Sequence, residues 1–282
     1  IVFGCAFDYE KGIPFYTDTD HVSLQAIRKS KYAEARTGEI FREVQKQLHA
    51  DRAVLFCGTP CHVQGLRKYL GKDFENPKLL TMDFICHGVP SSRNFHDYAG
   101  AGLTSVDFRY KDFSRDDRGW KDDCLKLQYG TKKVVYSSVY HSPFMIAYGI
   151  GLGNRKSCYS CNRVLQSAAD FTIGDFWGLY KLHPEEKDNR GCSVIVIHNE
   201  RGKNLWREVS PEKSGKVEKL SLSAVQYFLH DRTFSVKQQR RERLFRLAVR
   251  LFTFVPAVTL FLPKAVIGRS LKKTIKGWKE DQ

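Results

Sequence analysis

Residues 53–70 read AVLFCGTPCHVQGLRKYL and residues 79–90 read LLTMDFICHGVP. Each segment is a short apolar run that ends in a cluster of Gly, Pro and Cys, a pattern typical of a buried strand that runs into a loop at the edge of a sheet. Ligands of α/β folds usually bind at such strand ends. We therefore expect Cys57, Cys61 and Cys86 to lie near one another, at the place where this protein does its chemistry.

The rest of the chain predicts an α/β fold with a mixed sheet, flanking helices, an inserted antiparallel strand unit and a C-terminal helical basic tail. Further strands are predicted at 1–7, 14–17, 106–110, 124–128, 133–137, 170–178 and 193–198. Helices are predicted at 24–29, 39–49, 62–70, 143–148 and 203–209. We divide the chain into the end of an N-terminal region (1–28), a main domain (29–232) and a basic amphipathic tail (233–282).

Composition indicates a globular protein, because 42% of the 282 residues are hydrophobic. Eight cysteines are sparse for a secreted disulfide scaffold, and no signal peptide is evident, so we expect reduced thiols and a cytoplasmic location. No uncharged run is long enough for a transmembrane helix. Because Ile1 already lies in a predicted strand, we expect the native N-terminus to precede it.

The net charge of +15 is concentrated at the end of the chain, where residues 236–282 hold twelve Lys or Arg and three acids. The most apolar window, residues 244–266, is interrupted by charges and prolines, so it does not predict a membrane span. Two interpretations remain: a helix docked on the main domain, or a segment lying on an anionic membrane surface at the inner face. We expect no specific nucleic-acid partner, because the tail lacks aromatic residues interleaved with basic ones to stack bases. The flanking basic clusters are Arg240, Arg241, Arg243, Lys272, Lys273 and Lys276.

Four thiols are candidates for one metal centre: Cys61, Cys86, and the pair Cys158 and Cys161 of the later CYSC motif. Four thiolates suit either a tetrahedral zinc or an iron-sulfur cluster. The ligands come from three dispersed segments, which favours a cluster embedded in an existing fold over a local zinc knuckle. Cys57 is a fifth candidate.

The remaining thiols, those of Cys5, Cys124 and Cys192, lie in or beside predicted strands. We expect them to be buried and to act as small hydrophobic side chains.

Several motifs together resemble the coenzyme F420 hydrogenase/dehydrogenase beta-subunit family. They are FCGTPCHVQGLRKYL, TMDFICHGVPS, RGWK at residues 118–121, SCYSC and ADFTIGDFWG, joined by Ser30-Lys31-Tyr32 and the TGEIFREV helix start. The resemblance covers about residues 1–210 and includes a branch associated with bacterial polysaccharide gene clusters. Many family members carry an N-terminal ferredoxin segment with a C-x2-C-x2-C run, which this sequence lacks, so we expect either that the segment precedes Ile1 or that another chain supplies the electrons. His62 replaces a common glutamine.

The resemblance implies an iron-sulfur flavoprotein oxidoreductase, with residues 29–232 as its flavin and iron-sulfur domain. Electrons would pass between a soluble hydride carrier, F420 or another, a bound FAD and a [4Fe-4S] cluster, and a redox partner or ferredoxin-like module would exchange them. Implied cluster ligands are Cys61, Cys86, Cys158 and Cys161. Candidate flavin contacts are Ser30, Lys31, Tyr32, Gly58, Thr59, Pro60, Asp175, Phe176 and Trp177.

The competing interpretation is a non-catalytic protein in which a zinc site of four cysteines stabilises the fold and the basic tail binds a partner or a membrane. A third interpretation keeps the redox cofactors and uses them to modify a polysaccharide precursor. The residues alone name no general acid or base.

Overall fold

A six-stranded mixed sheet forms the centre of the fold. The computed structural model describes residues 1–114, 119–120, 123–161, 167–185, 189–209, 217–221 and 236–261. The strands are β1 (Val2–Asp8), β2 (Ile13–Asp18), β3 (Val54–Gly58), β4 (Leu79–Phe84), β5 (Leu103–Tyr110), β6 (Cys124–Tyr129), β7 (Lys133–Ser138), β8 (Phe171–Asp175) and β9 (Ser193–Ile197). The central sheet has the order β2-β1-β3-β4-β8-β9.

The described helices flank this sheet or follow it in the chain. They are α1 (Leu24–Ile27), α2 (Ile40–His49), α3 (Pro60–Leu70), α4 (Ser92–Ala99), α5 (Pro143–Gly149), α6 (Leu179–Leu182), α7 (Glu200–Val209), α8 (Val236–Phe252) and α9 (Phe254–Phe261). Short 3-10 turns cover Gly71–Glu75 and Lys156–Ser160.

Strands β1, β3, β4 and β8 run parallel, and β2 and β9 pair antiparallel at the two edges of the sheet. The register places Gly58 of β3 beside Asp83 of β4, and Phe84 of β4 beside Ile173 of β8. The carboxyl ends of β3, β4 and β8 therefore meet at one edge, which is where the cysteine loops begin. The mixed α/β class predicted from the sequence is confirmed.

One core lies between the central sheet and helices α2 and α3. The apolar residues of α2 recur every four positions, so Ile40, Val44 and Leu48 are all buried on one face. They pack with residues of α3 and with Phe3 and Phe56 of the sheet. This core fixes β3 and α3, and with them the loop that leads to Cys61.

A second core joins the antiparallel sheet β5-β6-β7 to helices from distant parts of the chain. Its fully buried phenylalanines are Phe95, Phe108, Phe144, Phe245 and Phe254. The last two belong to α8 and α9, so the described part of the C-terminal tail packs into the domain as a docked helix pair. No helix in the described ranges is long and apolar enough to cross a bilayer.

The exposed side of α8 also has an apolar stripe. Leu244, Leu247 and Leu251 are 61%, 55% and 67% exposed. Arg243 and Arg250 are exposed beside them. The predicted boundary at residue 233 and the basic cluster of Lys272, Lys273 and Lys276 lie outside the described residues.

Two helices begin earlier than the sequence predicts. Helix α3 begins at Pro60 rather than at residue 62, because proline is favoured at the first helical position. Helix α7 begins at Glu200 rather than at residue 203. Arg118 and Lys121 of the RGWK motif lie outside the described ranges.

The three cysteines expected to be buried differ in exposure. Cys124 is buried as predicted, and Cys5 is half-buried. Cys192 is exposed, so its prediction is wrong, because this residue precedes the edge strand β9.

Candidate cofactor site

Four cysteines from three segments lie within electrostatic range of one another near the edge of the central sheet. Cys61 lies in the first turn of α3, Cys86 follows β4, and Cys158 and Cys161 lie in and just after a 3-10 turn. Burial raises the pKa of Cys86 to about 12, and the charges of the other three thiols add to this effect. Burial also raises the pKa of Cys158, with contributions from Cys61 and Cys161. The four thiols therefore act on one another electrostatically.

The chemistry of this donor set suits an iron-sulfur cluster or a thiophilic metal, because both bind soft thiolate ligands in fours. In the geometry of the described residues, no three His, Cys, Asp or Glu side chains are arranged to hold a metal ion. The thiol of Cys57 lies in a different environment, near Asp83 and Lys31, and burial raises its pKa to about 11.

The environment of Cys61 is set by the residues on either side of it. Thr59 Oγ1 lies 3.1 Å from Cys61 Sγ, within hydrogen-bond distance. His62 Nδ1 shares a hydrogen bond of 2.8 Å with the hydroxyl of Tyr16. Burial and the charge of Arg155 lower the pKa of His62 to about 4, so its ring is neutral near pH 7. His62 thus anchors the start of α3 to strand β2.

Backbone contacts join the loop of Cys86 to the loop of Cys158. Arg155 N donates to Val89 O at 2.9 Å, and Cys158 N donates to Arg155 O at 3.0 Å. An isolated antiparallel bridge pairs Pro90 with Asn154. Gly88 has a φ of +103°, and a Cβ there would clash with the carboxamide of Asn154, so only glycine fits.

Helix α8 holds the start of the later cysteine loop. The carboxylate of Glu242, which is 2% exposed, accepts a hydrogen bond from Gly153 N at 2.9 Å. Arg246 donates to the same carboxylate through Nε and to Asn154 O through Nη2, at 2.8 and 2.7 Å. The sequence did not reveal this clamp, because Glu242 reads there as one acid in a basic tail.

Lys31, a candidate flavin contact, is held by the backbone of α1. Its ammonium donates to the carbonyls of Ala26, Ile27 and Arg28 at 2.9, 2.9 and 2.5 Å. Burial lowers its pKa to about 8. In this conformation its three hydrogens are all in use, so contact with a flavin would require Lys31 to leave at least one carbonyl.

The candidates Tyr32 and Asp175 meet around Arg109 of β5, which the sequence did not identify. Arg109 donates through Nε to Asp123 and through Nη1 to Asp175. Its charge acts on the buried hydroxyl of Tyr32, whose pKa burial raises. Arg109 Nη2 is buried and has no hydrogen-bond partner among the described residues. The Ser30-Lys31-Tyr32 segment and the end of β8 are thus brought together.

Trp177 completes this group. Its ring stacks on Trp120 with 4.6 Å between centroids and 13° between planes, and the Arg109 guanidinium lies 5.7 Å from its centroid. Trp177 is 41% exposed, so it offers an aromatic edge to a ligand. Phe176 is buried and packs with Leu179, so it supports the neighbouring site residues through the core.

The Gly58-Thr59-Pro60 turn lies between β3 and α3. A Cβ at Gly58 would lie 2.6 Å from the Tyr16 hydroxyl, so the turn accepts only glycine there. Thr59 is the N-cap of α3 and makes no side-chain capping bond. The first backbone N–H groups of a helix favour anions, but at this helix Pro60 has no N–H and the N–H groups of His62 and Val63 bond to Thr59 O.

A cavity of about 580 Å³ lies on the other side of Tyr16, between β2 and the start of α2. None of the predicted flavin contacts lines it. Its charged side chains pair among themselves, as in Arg42 with Glu39 and His21 with Asp18.

Comparisons with known proteins address the fold and the family. The family model that describes the C terminus of the coenzyme F420 hydrogenase/dehydrogenase beta subunit matches residues 51–223. A chain of the F420-reducing [NiFe] hydrogenase complex from Methanosarcina barkeri, solved in a xenon derivatization study, is similar in structure, with a TM-score of 0.52. It is 13% identical, and the alignment covers 89% of this chain and 80% of that chain. At that identity the likeness shows the fold alone.

A search of curated proteins finds no significant match. The family model, however, spans more than half of the chain and includes Cys61, Cys86, Cys158 and Cys161. The resemblance predicted from the motifs is confirmed. The chain belongs to the coenzyme F420 hydrogenase/dehydrogenase beta-subunit family and is an oxidoreductase subunit.

Proposed function

We propose that the chain is an iron-sulfur flavoprotein that passes electrons between a soluble hydride donor or acceptor, a bound FAD and a [4Fe-4S] cluster. The observation that carries the proposal is the electrostatic grouping of four thiols from three distant segments. Bound flavin would exchange a hydride with the substrate, and a bound cluster would carry single electrons. The remaining roles belong to the residues of this chain.

The cluster ligands in this proposal are Cys61, Cys86, Cys158 and Cys161. Burial raises the thiol pKa of Cys86, so cluster binding must supply the energy to hold it as a thiolate. Thr59 lies close enough to donate a hydrogen bond to the Cys61 sulfur once that sulfur is deprotonated. The chain therefore provides both ligands and a hydrogen-bond donor.

For the flavin, we propose two contact groups. The Gly58-Thr59-Pro60 turn would bind the phosphates at the start of α3, and the aromatic group around Arg109 would lie against the ring. Support comes from Arg109 Nη2, which is held in place by two aspartates and keeps a donor without a partner in the described chain. Ser30 bonds to the Tyr32 hydroxyl, so its contribution would be indirect.

The first experiment is a visible spectrum with iron, sulfide, zinc and flavin quantification on protein purified without oxygen. We expect about four irons and one FAD per chain. In Cys86→Ala we expect the cluster to be lost, whereas Cys192→Ala, at an exposed thiol, should retain it. A colourless wild-type protein with one zinc and no flavin would overturn the proposal in favour of a structural zinc site of four cysteines.

A second experiment tests the flavin group. In Arg109→Lys, the bond geometry to the two aspartates and the free Nη2 donor are lost, so we expect at least a tenfold weaker FAD affinity. The control is Arg207→Lys, at an exposed arginine on α7. Equal FAD affinity in wild type and Arg109→Lys, measured by flavin fluorescence, would contradict this assignment.

We propose a soluble hydride carrier of the F420 type as substrate and a ferredoxin-like module or redox partner protein as the other electron carrier. Reduction of bound flavin by F420, compared with NADH and NADPH under the same conditions, tests the substrate. Turnover with a nicotinamide alone would contradict the F420 assignment.

We also propose that the protein is cytoplasmic and lies at the inner membrane face through the leucine stripe of α8. The support is the combination of three exposed leucines with exposed Arg243 and Arg250 on the same side. Binding to vesicles of anionic lipid should fall at least tenfold in a Leu247→Glu and Leu251→Glu double variant. Equal binding of both proteins would contradict the proposal.

A further inference from the structure

Asn154 is a buried side chain with unused hydrogen-bonding groups. It is 2% exposed, and neither Nδ2 nor Oδ1 has a partner in the described part of the chain. Buried polar groups are nearly always hydrogen-bonded, and leaving one unpaired is unfavourable. A carboxamide carries two N–H donors, so Asn154 is able to bond to a partner outside the described residues.

The surroundings of Asn154 identify that partner's place. Its carboxamide lies against Gly88, and the residue pairs with Pro90 through the isolated bridge. Gly88 O is 3.9 Å from the thiol of Cys86. Four residues after Asn154 comes Cys158, whose backbone N–H is bonded to Arg155 O. Asn154 therefore lies where the two cysteine loops contact each other.

The backbone holds this side chain in place. Arg246 bonds to the carbonyl of Asn154, and Glu242 bonds to the preceding residue, Gly153. Gly153 has a φ of +79°, which favours glycine at that point of the loop. These bonds fix the backbone at Asn154, while its carboxamide has no partner among the described residues. This arrangement favours a hydrogen-bond donor positioned for a ligand.

We propose that the carboxamide of Asn154 donates an N–H hydrogen bond to the sulfur atoms of the cluster held by Cys86 and Cys158, and so raises the reduction potential of the cluster. The inference rests on the proposed function, because it requires a cluster at these thiols. Reduction adds one electron and one negative charge to the cluster, and a donor to sulfur stabilises that charge. Asn154 is thus a positioning and tuning residue and not a ligand.

The test uses the cluster-loaded protein in a redox titration followed by electron paramagnetic resonance. In Asn154→Asp and Asn154→Leu, we expect the equilibrium for reduction to fall about tenfold, equivalent to about 59 mV toward lower potential. We also expect faster loss of the cluster to an iron chelator in both variants.

Asn199 is the matched control, because both ends of its carboxamide are paired. Its Nδ2 donates to Asp170 at 2.8 Å, and its Oδ1 accepts from Gly202 N at 2.9 Å. Asn199→Leu should lower the melting temperature and leave the midpoint potential unchanged. The comparison separates loss of a structural hydrogen bond from loss of a bond to the cluster.

Unchanged potentials in cluster-loaded Asn154→Asp and Asn154→Leu would overturn the inference while the proposed function stands. If both variants fail to keep a cluster that Asn199→Leu keeps, the result supports the inference, because the amide is then needed for retention. Wild-type protein without iron and sulfide would overturn the proposed function, and the inference with it.

Discussion

Asp170 and Asn154 are both buried polar residues, yet their surroundings differ completely. Asp170 is fully buried and accepts four hydrogen bonds, from the backbone and hydroxyl of Thr81, from Asn199 and from Arg201. Asn154 has no side-chain partner within the described residues. The comparison shows that Asp170 is fully paired within the described chain, whereas Asn154, beside the cysteine loops, has a carboxamide that no described residue pairs.

The largest loss of stability is expected at Asp170, whose carboxylate accepts four hydrogen bonds. Asp170→Ala removes the partner of Arg201 and leaves several donors unsatisfied, so we expect the free energy of unfolding to fall by about 3–5 kcal/mol. Denaturant unfolding followed by circular dichroism measures the loss. Glu200→Ala, at an exposed neighbouring acid, is the control. A loss below about 1 kcal/mol in Asp170→Ala would break the contrast between the two regions.

Asp83 tests a buried acid that is only partly compensated. Hydroxyls of Ser167 and Thr172 donate to it at 2.5 Å each, yet burial raises its pKa to about 6. Between about pH 4 and pH 6 the folded protein holds a proton that the unfolded chain has lost, so stability falls as the pH rises through this window. The span from the ordinary carboxyl pKa to 6 corresponds to about 3 kcal/mol.

The measurement is the free energy of unfolding of wild type and Asp83→Asn from about pH 4 to pH 7. The wild-type value, relative to the variant, should decrease between about pH 4 and 6 and level off above this window. A difference that increases with pH in this window would show that the hydroxyls stabilise the charged carboxylate more than burial opposes it.

Glu242 tests how much one buried hydrogen bond stabilises the later cysteine loop. Glu242→Ala leaves the buried N–H of Gly153 without its acceptor, so we expect a loss of about 1–3 kcal/mol in unfolding free energy. Glu242→Gln keeps an acceptor and should lose less. Chelator release of iron from the loaded protein should be faster in Glu242→Ala than in Glu242→Gln, and equal rates would argue that the clamp does not hold the cysteine loop.

The smallest change in unfolding free energy is expected at solvent-exposed ion pairs. Lys203 Nζ lies 2.5 Å from Glu200 Oε1, and 51% and 72% of the two side chains are exposed. Because solvent screens such pairs, Lys203→Ala should change the unfolding free energy by less than about 0.5 kcal/mol. Thermal unfolding at low and high salt measures it, and a loss above about 1 kcal/mol would mean that exposure does not separate structural from solvated charges here.

Much of the fold could be predicted, because strands and helices are encoded in local patterns. The apolar runs before Cys57 and Cys86 predict two strands, which are adjacent and parallel in the structure, and the four-residue spacing in α2 predicts its buried face. The sequence predicts the start of α3 two residues late, because Gly58, Thr59 and Pro60 are typical turn residues, although Pro60 is a normal first helical residue.

The parts that could not be predicted depend on contacts between distant residues. Arg109 and Asp175 are separated by 66 positions, and neither segment carries a local signal for the other. The motif predicts a flavin contact at Lys31 and carries no signal for its bonds to α1, which follow from the path of the backbone. The exposure of Cys192 depends on β9 being an edge strand, which composition does not reveal.

The hydrogen bond between Glu242 and Gly153 forms only late in the synthesis of the chain. The two residues are 89 positions apart. At the roughly 5–20 residues per second of protein synthesis, the ribosome needs roughly 4 to 18 s to add that length of chain. During this interval the loop that bears Cys158 and Cys161 is already made but lacks the bond to Glu242, so this loop is fully held only after α8 has been translated.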